Sequence, residues 1–97
     1  MPTYISLNRW TQQGIQTVKD SPARLAAAQQ AARAMGGEIK AFYLVMGQYD
    51  FVTVFEAPDD ATVARFLLAL GGQGNVQTET LRAFTEDEFR KIVASLP

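Results

Sequence analysis

The chain contains no cysteine and no histidine. Without cysteine there is no disulfide framework, no thiolate nucleophile and no thiolate metal site. Without histidine the commonest general base and the commonest metal ligand are missing. Zinc chemistry is therefore not expected, Ser-His-Asp and Cys-His arrangements are excluded, and any metal would have to be held by oxygen ligands alone. An excess of one charge is missing too: 9 Lys and Arg against 10 Asp and Glu leave a formal charge of -1. The basic residues are scattered, so neither nucleic acid nor an anionic membrane surface is an expected partner. The apolar runs fall far short of a membrane span, and Met1-Pro2-Thr3-Tyr4 lacks the pattern of a signal peptide. A soluble cytoplasmic protein is the expectation.

What is present suits one globular domain over residues 1–97, with 47% apolar and 20% charged residues. The organising stretch is 46–60, Met-Gly-Gln-Tyr-Asp-Phe-Val-Thr-Val-Phe-Glu-Ala-Pro-Asp-Asp. It reads as a strand end, a glycine turn, a central strand apolar on both faces, and a helix start. Upstream, Thr3 to Trp10 alternates as a strand. Ser21-Pro22 opens a helix as N-cap and first residue, its stripe being Leu25, Ala28, Ala32 and Met35, and Gly36-Gly37 ends it. The many alanines predict a helix lying close to the sheet. Strands follow over 38–46 and 49–57. A second helix is capped by Asp59 or Asp60, and a fourth strand covers 76–84. Thr85 and Glu88 then form a capping-box pattern opening an amphipathic C-terminal helix. The order β-α-β-β-α-β plus a helix predicts an α+β, ferredoxin-like fold. It has a four-stranded antiparallel sheet, both main helices on one face, and the first and third strands central.

The second face of that sheet then needs a cover. Alternation groups Tyr4, Ser6, Asn8 and Trp10 on one side of the first strand. If Val52 and Val54 face the helices, Phe51 and Phe55 join that group on the open side. Four strands present roughly 400 Å² of sheet area, near the upper size a soluble monomer leaves bare. A second copy of the same surface, in a two-fold dimer, is the expected cover. The alternative is the C-terminal helix folded back over its own sheet. Ser6, Asn8, Thr53, Thr78, Thr80 and Arg82 set polar groups among the aromatics, as in small-molecule pockets, or else form a plain solvated rim.

Other candidates divide similarly between ligand contact and structure. Asp50, before the apolar strand, reads either as an acceptor of backbone N–H groups or as a ligand contact or general base. Tyr43 and Tyr49 offer phenol donors or half-buried packing. Lys19 and Arg24 bracket the Ser21-Pro22 helix start, where an anion would be favoured; alternatively Arg24 pairs with Asp20 or Asp50. Gly14 reads as relaxing a bend. The paired acids Asp59 and Asp60, and Glu86 to Glu88, belong to helix first turns and serve the dipole.

Gly47-Gln48-Tyr49-Asp50, Ala57-Pro58-Asp59-Asp60 and Thr78-Glu79-Thr80-Leu81-Arg82-Ala83-Phe84 together resemble the GYD family of small bacterial proteins. Trp10-Thr11-x-x-Gly14, Lys19-Asp20-Ser21-Pro22-Ala23-Arg24 and Gly36-Gly37 extend the resemblance over nearly the whole chain. It implies a fold of the dimeric α/β-barrel type and little about activity. A looser similarity, through the Gly-x-Tyr-Asp turn and Gly74-Asn75-Val76-Gln77-Thr78, is to the effector-binding domain of leucine-responsive regulators. It implies oligomerisation and small-ligand sensing. The reading that results is a cofactor-free homo-oligomer binding a small organic molecule. Its alternatives are a cofactor-independent isomerase or oxygenase acting on a small aromatic or carbonyl compound, and a subunit whose only task is assembly.

Overall fold

A computed structural model describes all residues, 1–97. Its strands are β1 (Thr3–Trp10), β2 (Glu38–Leu44), β3 (Phe51–Glu56) and β4 (Val76–Ala83), and its helices are α1 (Gln12–Gln16), α2 (Ser21–Ala34), α3 (Asp60–Gly72) and α4 (Glu86–Ala94). The sheet order is β2-β3-β1-β4, every pair antiparallel, so the expected ferredoxin-like α+β topology with β1 and β3 central is what forms. Register places Ile5 opposite Val54, Ser6 opposite Thr53 and Thr80, and Asn8 opposite Phe51 and Thr78.

The assignment of faces is reversed from the expectation. Tyr4, Ser6 and Asn8, each 3% exposed, lie beneath the helices together with Thr53 and Phe55. Ile5, Leu7, Val52 and Val54 therefore occupy the side without helices. The physical reason is reach. α2 presents Leu25, Ala28 and Ala32 toward the sheet, and alanine is too short to fill the gap between layers about 10 Å apart. Large side chains must come from the sheet instead, and Tyr4 and Phe55 supply them, stacked 5.4 Å apart with Phe66 of α3 beyond. Ala32 of α2 is buried, while a cavity remains beside the Arg24–Ala28 part of the helix.

Local details differ as well. β2 stops at Leu44 and β3 starts at Phe51, because the 45–50 segment is tied by its own bonds, Val45 N–H to Asp50 O at 2.9 Å and Asp50 N–H to Asn8 O at 2.8 Å. Ser21 is not the N-cap of α2. A 3-10 turn, Val18–Asp20, runs directly into the helix, and the Ser21 hydroxyl accepts from Arg24 at 3.0 Å. Asp59 caps α3 by accepting from the Thr62 N–H at 2.8 Å, a bond that holds its carboxyl below the usual range. Thr85 and Glu88 form the full capping box of α4. That helix does not fold back over the sheet: Phe89, Ile92, Val93 and Leu96 along its apolar side are all exposed.

Tyr4 gives the first testable consequence. Its hydroxyl donates to Asp60 at the start of α3, and burial, helped by that bond, pushes the phenol up to about 12. An unfolded tyrosine titrates near 10. A folded-state value raised above the unfolded one contributes stability that is complete below about pH 10 and lost as pH rises toward 12. Denaturant midpoints should fall over that window, and Tyr4→Phe should flatten the fall. An equally steep alkaline limb in the variant would refute the assignment.

Candidate functional site

Between the helices and the sheet lies a cavity of about 360 Å³. Its floor is the central pair of strands, through Ser6, Asn8, Trp10, Phe51, Thr53 and Phe55. Its roof comes from α2, through Arg24, Leu25 and Ala28, and from α3, through Phe66, Leu67 and Leu70; Gln73, Asn75 and Val76 close one end. The alternation that was expected to pave an outer surface thus lines an inner one. Phe42 and Leu44 in its wall stay solvent-exposed, so the cavity is not sealed.

Three linked polar side chains organise the floor. The Ser6 hydroxyl donates to Asn8 Oδ1 at 3.0 Å and lies 3.1 Å from the Thr80 hydroxyl. Asn8 Nδ2 donates to the Ser6 carbonyl at 3.0 Å and to the Phe51 carbonyl at 3.4 Å. Each bond is cross-strand or along the strand, so the sheet register itself holds the row in place. Buried polar groups are tolerable because they are bonded in this way, and no buried side-chain N or O lacks a partner. Aromatic rings surround the row: Trp10 and Phe42 each lie 5.3 Å from Phe51.

Of the sequence-expected site residues, the fold brings Ser6, Asn8, Trp10 and Arg24 into this cavity. Thr78 shares their side of the sheet, opposite Asn8, without lining the space. Arg82 sits at the far end of β4, its guanidinium 5.6 Å from the Tyr4 ring and 4.5 Å from that of Phe84. Lys19 is exposed on the 3-10 turn. Tyr43 pairs with Val52 on the side without helices and is 62% exposed. Tyr49 is outside the cavity as well. Its hydroxyl donates to Glu79 at 2.5 Å, which raises the phenol from its ordinary value, while Arg9 stands 4.8 Å over its ring. Asp50 accepts from the Trp10 N–H at 2.9 Å and so staples the end of β1 to the start of β3. Tyr43, Tyr49 and Asp50 therefore do not line this cavity.

Arg24 does not pair with Asp20 or Asp50. Its guanidinium donates to the Thr17 carbonyl and hydroxyl, the Gly14 carbonyl and the Ser21 hydroxyl, between 3.0 and 3.2 Å. All four acceptors are neutral. Arg24 is also the one ionisable residue among those lining the cavity. Residue-by-residue reading passed over Phe42, Leu70, Gln73 and Asn75. Phe42 was legible from its alternation with Leu44, but the last two belong to a loop whose position only the tertiary contacts define.

A family model described as GYD domain matches residues 4–93. A Thermus thermophilus protein named glutamine synthetase and cystathionine beta-lyase binding protein is 45% identical over 84 residues, covering 86% of this chain and 88% of its own. A crystal structure from the same organism superposes with a TM-score of 0.54 at 25% identity, over 88% of this chain and 95% of the other. The 5-chloro-2-hydroxyhydroquinone dehydrochlorinase of Burkholderia phenoliruptrix AC1100, solved with 2,5-dihydroxybenzoquinone, superposes with a TM-score of 0.62 at 14% identity, over 88% and 96%. That last likeness concerns the fold alone.

Proposed function

This chain belongs to the GYD domain family, and from that premise we propose that it is a homodimeric binding module holding a small organic ligand between its sheet and helices. The cavity carries this reading. The chain's own side chains leave a space of about 360 Å³ under the helices unfilled, open to solvent past Phe42 and Leu44, so a molecule can enter it. A space of this size, with aromatic walls and a short row of fixed polar groups, is what a ligand site looks like and what a packed core is not.

Enzyme chemistry has weaker support. No carboxylate, lysine or tyrosine lines the cavity, so a general base is missing where a substrate would lie. Asp50, the one candidate for that role, is engaged with the Trp10 backbone. A sensing role would use the same cavity.

A second reading, binding to another protein, draws on the relative named for binding glutamine synthetase and cystathionine beta-lyase. It is favoured by the apolar stripe of α4, which nothing in its own chain covers. Ligand binding in the cavity is compatible with this reading, whereas a second copy and another protein would compete for α4.

Native mass spectrometry of protein purified from its source tests the first reading by reporting subunit count and any retained small molecule together. A filled-cavity variant sharpens it. Ala28→Phe, from the roof, should keep or raise the melting temperature while lowering ligand retention at least about tenfold, since the ring takes the ligand's place. If Ala28→Phe retained ligand as well as the parent, the cavity would not be the site.

A further inference from the structure

The charge of the cavity wall is as informative as its shape. Arg24 lines it with no carboxylate in contact, and the chain's three ion pairs, Lys40 with Glu38 and Glu56 and Arg90 with Glu86, lie elsewhere. Asp20 precedes α2 and Asp50 binds the Trp10 backbone, but neither lines the space. The wall thus carries one positive charge with no carboxylate in ion-pair contact, Asp20 lying outside it at the N-cap of α2. Four of the five guanidinium N–H donors are committed to Thr17, Gly14 and Ser21, which fixes the group rather than neutralising it. Ser21 and Pro22, in the first turn of α2, line the same end as Arg24. The Trp10, Phe51 and Phe42 rings form a continuous aromatic wall of the same cavity.

We propose that the cavity takes flat organic monoanions, aromatic acids with a single carboxylate turned toward Arg24 and the ring body set against Trp10 and Phe51. This rests on the cavity being a ligand site, and it adds the sign and position of the ligand's charge. At about 30 Å³ per small group in a liquid, 360 Å³ holds on the order of a dozen non-hydrogen atoms, enough for a one- or two-ring acid. A second carboxylate would find no further cation in the walls. A cationic ligand would meet Arg24 unopposed.

Trp10 is the chain's single tryptophan, so its indole N–H gives one cross-peak in a ¹⁵N spectrum and reports directly on the cavity. Naphthalene-2-carboxylate and the neutral naphthalene-2-carboxamide, nearly equal in size, are titrated separately at pH 7 and low salt. The carboxylate should bind at least about tenfold more tightly. Arg24→Gln should bring its affinity down to that of the amide, and Arg24→Lys, which keeps the charge and loses the fork, should retain the preference. If Arg24→Gln fails to fold, the parent and the lysine variant still decide. Equal binding of the two probes to the parent would overturn the charge assignment and leave the cavity reading standing. Carboxylate preference surviving in a folded Arg24→Gln would overturn the role of Arg24. No shift of the Trp10 peak with either probe would remove the cavity reading and this inference together.

Discussion

Val54→Asp should turn the protein from a dimer into a monomer without unfolding it. Val54 lies on β3 opposite Ile5, in the middle of the sheet face without helices, where Leu7 and Val52 complete a β-branched and aliphatic centre. In a two-fold pairing each substitution is buried twice, once from each copy. An unpaired carboxylate in an apolar interface costs several kcal/mol. Even about 4 kcal/mol for the two together raises the dissociation constant about a thousandfold. In the separate subunit the same side chain meets water, so the Trp10 signal and the melting transition should persist.

The area needed explains why α4 matters to this expectation. A stable interface buries about 800 Å² per partner, roughly twice the nominal area of the bare sheet face. The sheet alone is short of that. The exposed stripe of Phe89, Ile92, Val93 and Leu96 on α4 supplies further apolar surface if it lies against the neighbouring copy. Sedimentation velocity across a concentration series reads the outcome. A parent that is monomeric at every concentration, or a Val54→Asp variant that stays dimeric, ends the pairing as drawn.

The second large effect concerns Gly14. A Cβ at this position would stand 2.0 Å from the Asn75 carbonyl oxygen and 2.9 Å from its carbon, both backbone atoms that cannot swing aside. The same oxygen accepts from the Thr11 N–H at 3.0 Å, and the Thr11 hydroxyl donates to the Gly74 carbonyl at 2.6 Å. Gly14→Ala must therefore pull α1 away from the 73–75 loop and break this link. Overpacking of this kind costs about 1–3 kcal/mol, and a chain of this length loses about 4–8 °C in melting temperature per kcal/mol. A fall of about 10 °C is expected. Because Gln73 and Asn75 close one end of the cavity and the Gly14 carbonyl accepts from Arg24, ligand affinity should drop too. An unchanged melting temperature would show that the contact is looser than described. Gly14 serves close approach of two backbones and not the easing of a bend.

The main element order, the strand pairing and the caps of α3 and α4 were legible because each depends on short-range chemistry, though the short α1 was read only as a turn. Thr85 and Glu88 sit at capping-box spacing, Asp59 precedes a helical stripe, and 51–55 is apolar at every other position on both faces. Ser21 misled because the 3-10 turn ahead of it leaves no extended residue to act as a cap. Asp50, Tyr43 and Tyr49 looked chemical because they are polar groups beside an apolar strand, yet parity takes Tyr43 out of the cavity, a backbone bond holds Asp50, and a side-chain bond to Glu79 holds Tyr49.

From residue order alone came the period of each strand, the turns between them and the absence of any histidine or cysteine chemistry. Which parity faces inward was left to the tertiary structure. Both faces of β3 carry large apolar residues, and on β1 hydropathy alone would favour Ile5 and Leu7 over the Tyr4, Ser6 and Asn8 face that is in fact buried. Volume decided the parity. An alanine-rich helix leaves room that tyrosine and phenylalanine from the sheet must fill, whereas valine and isoleucine make the flatter layer that a second sheet can meet. The space those long side chains did not fill is the cavity, and no local pattern encodes it.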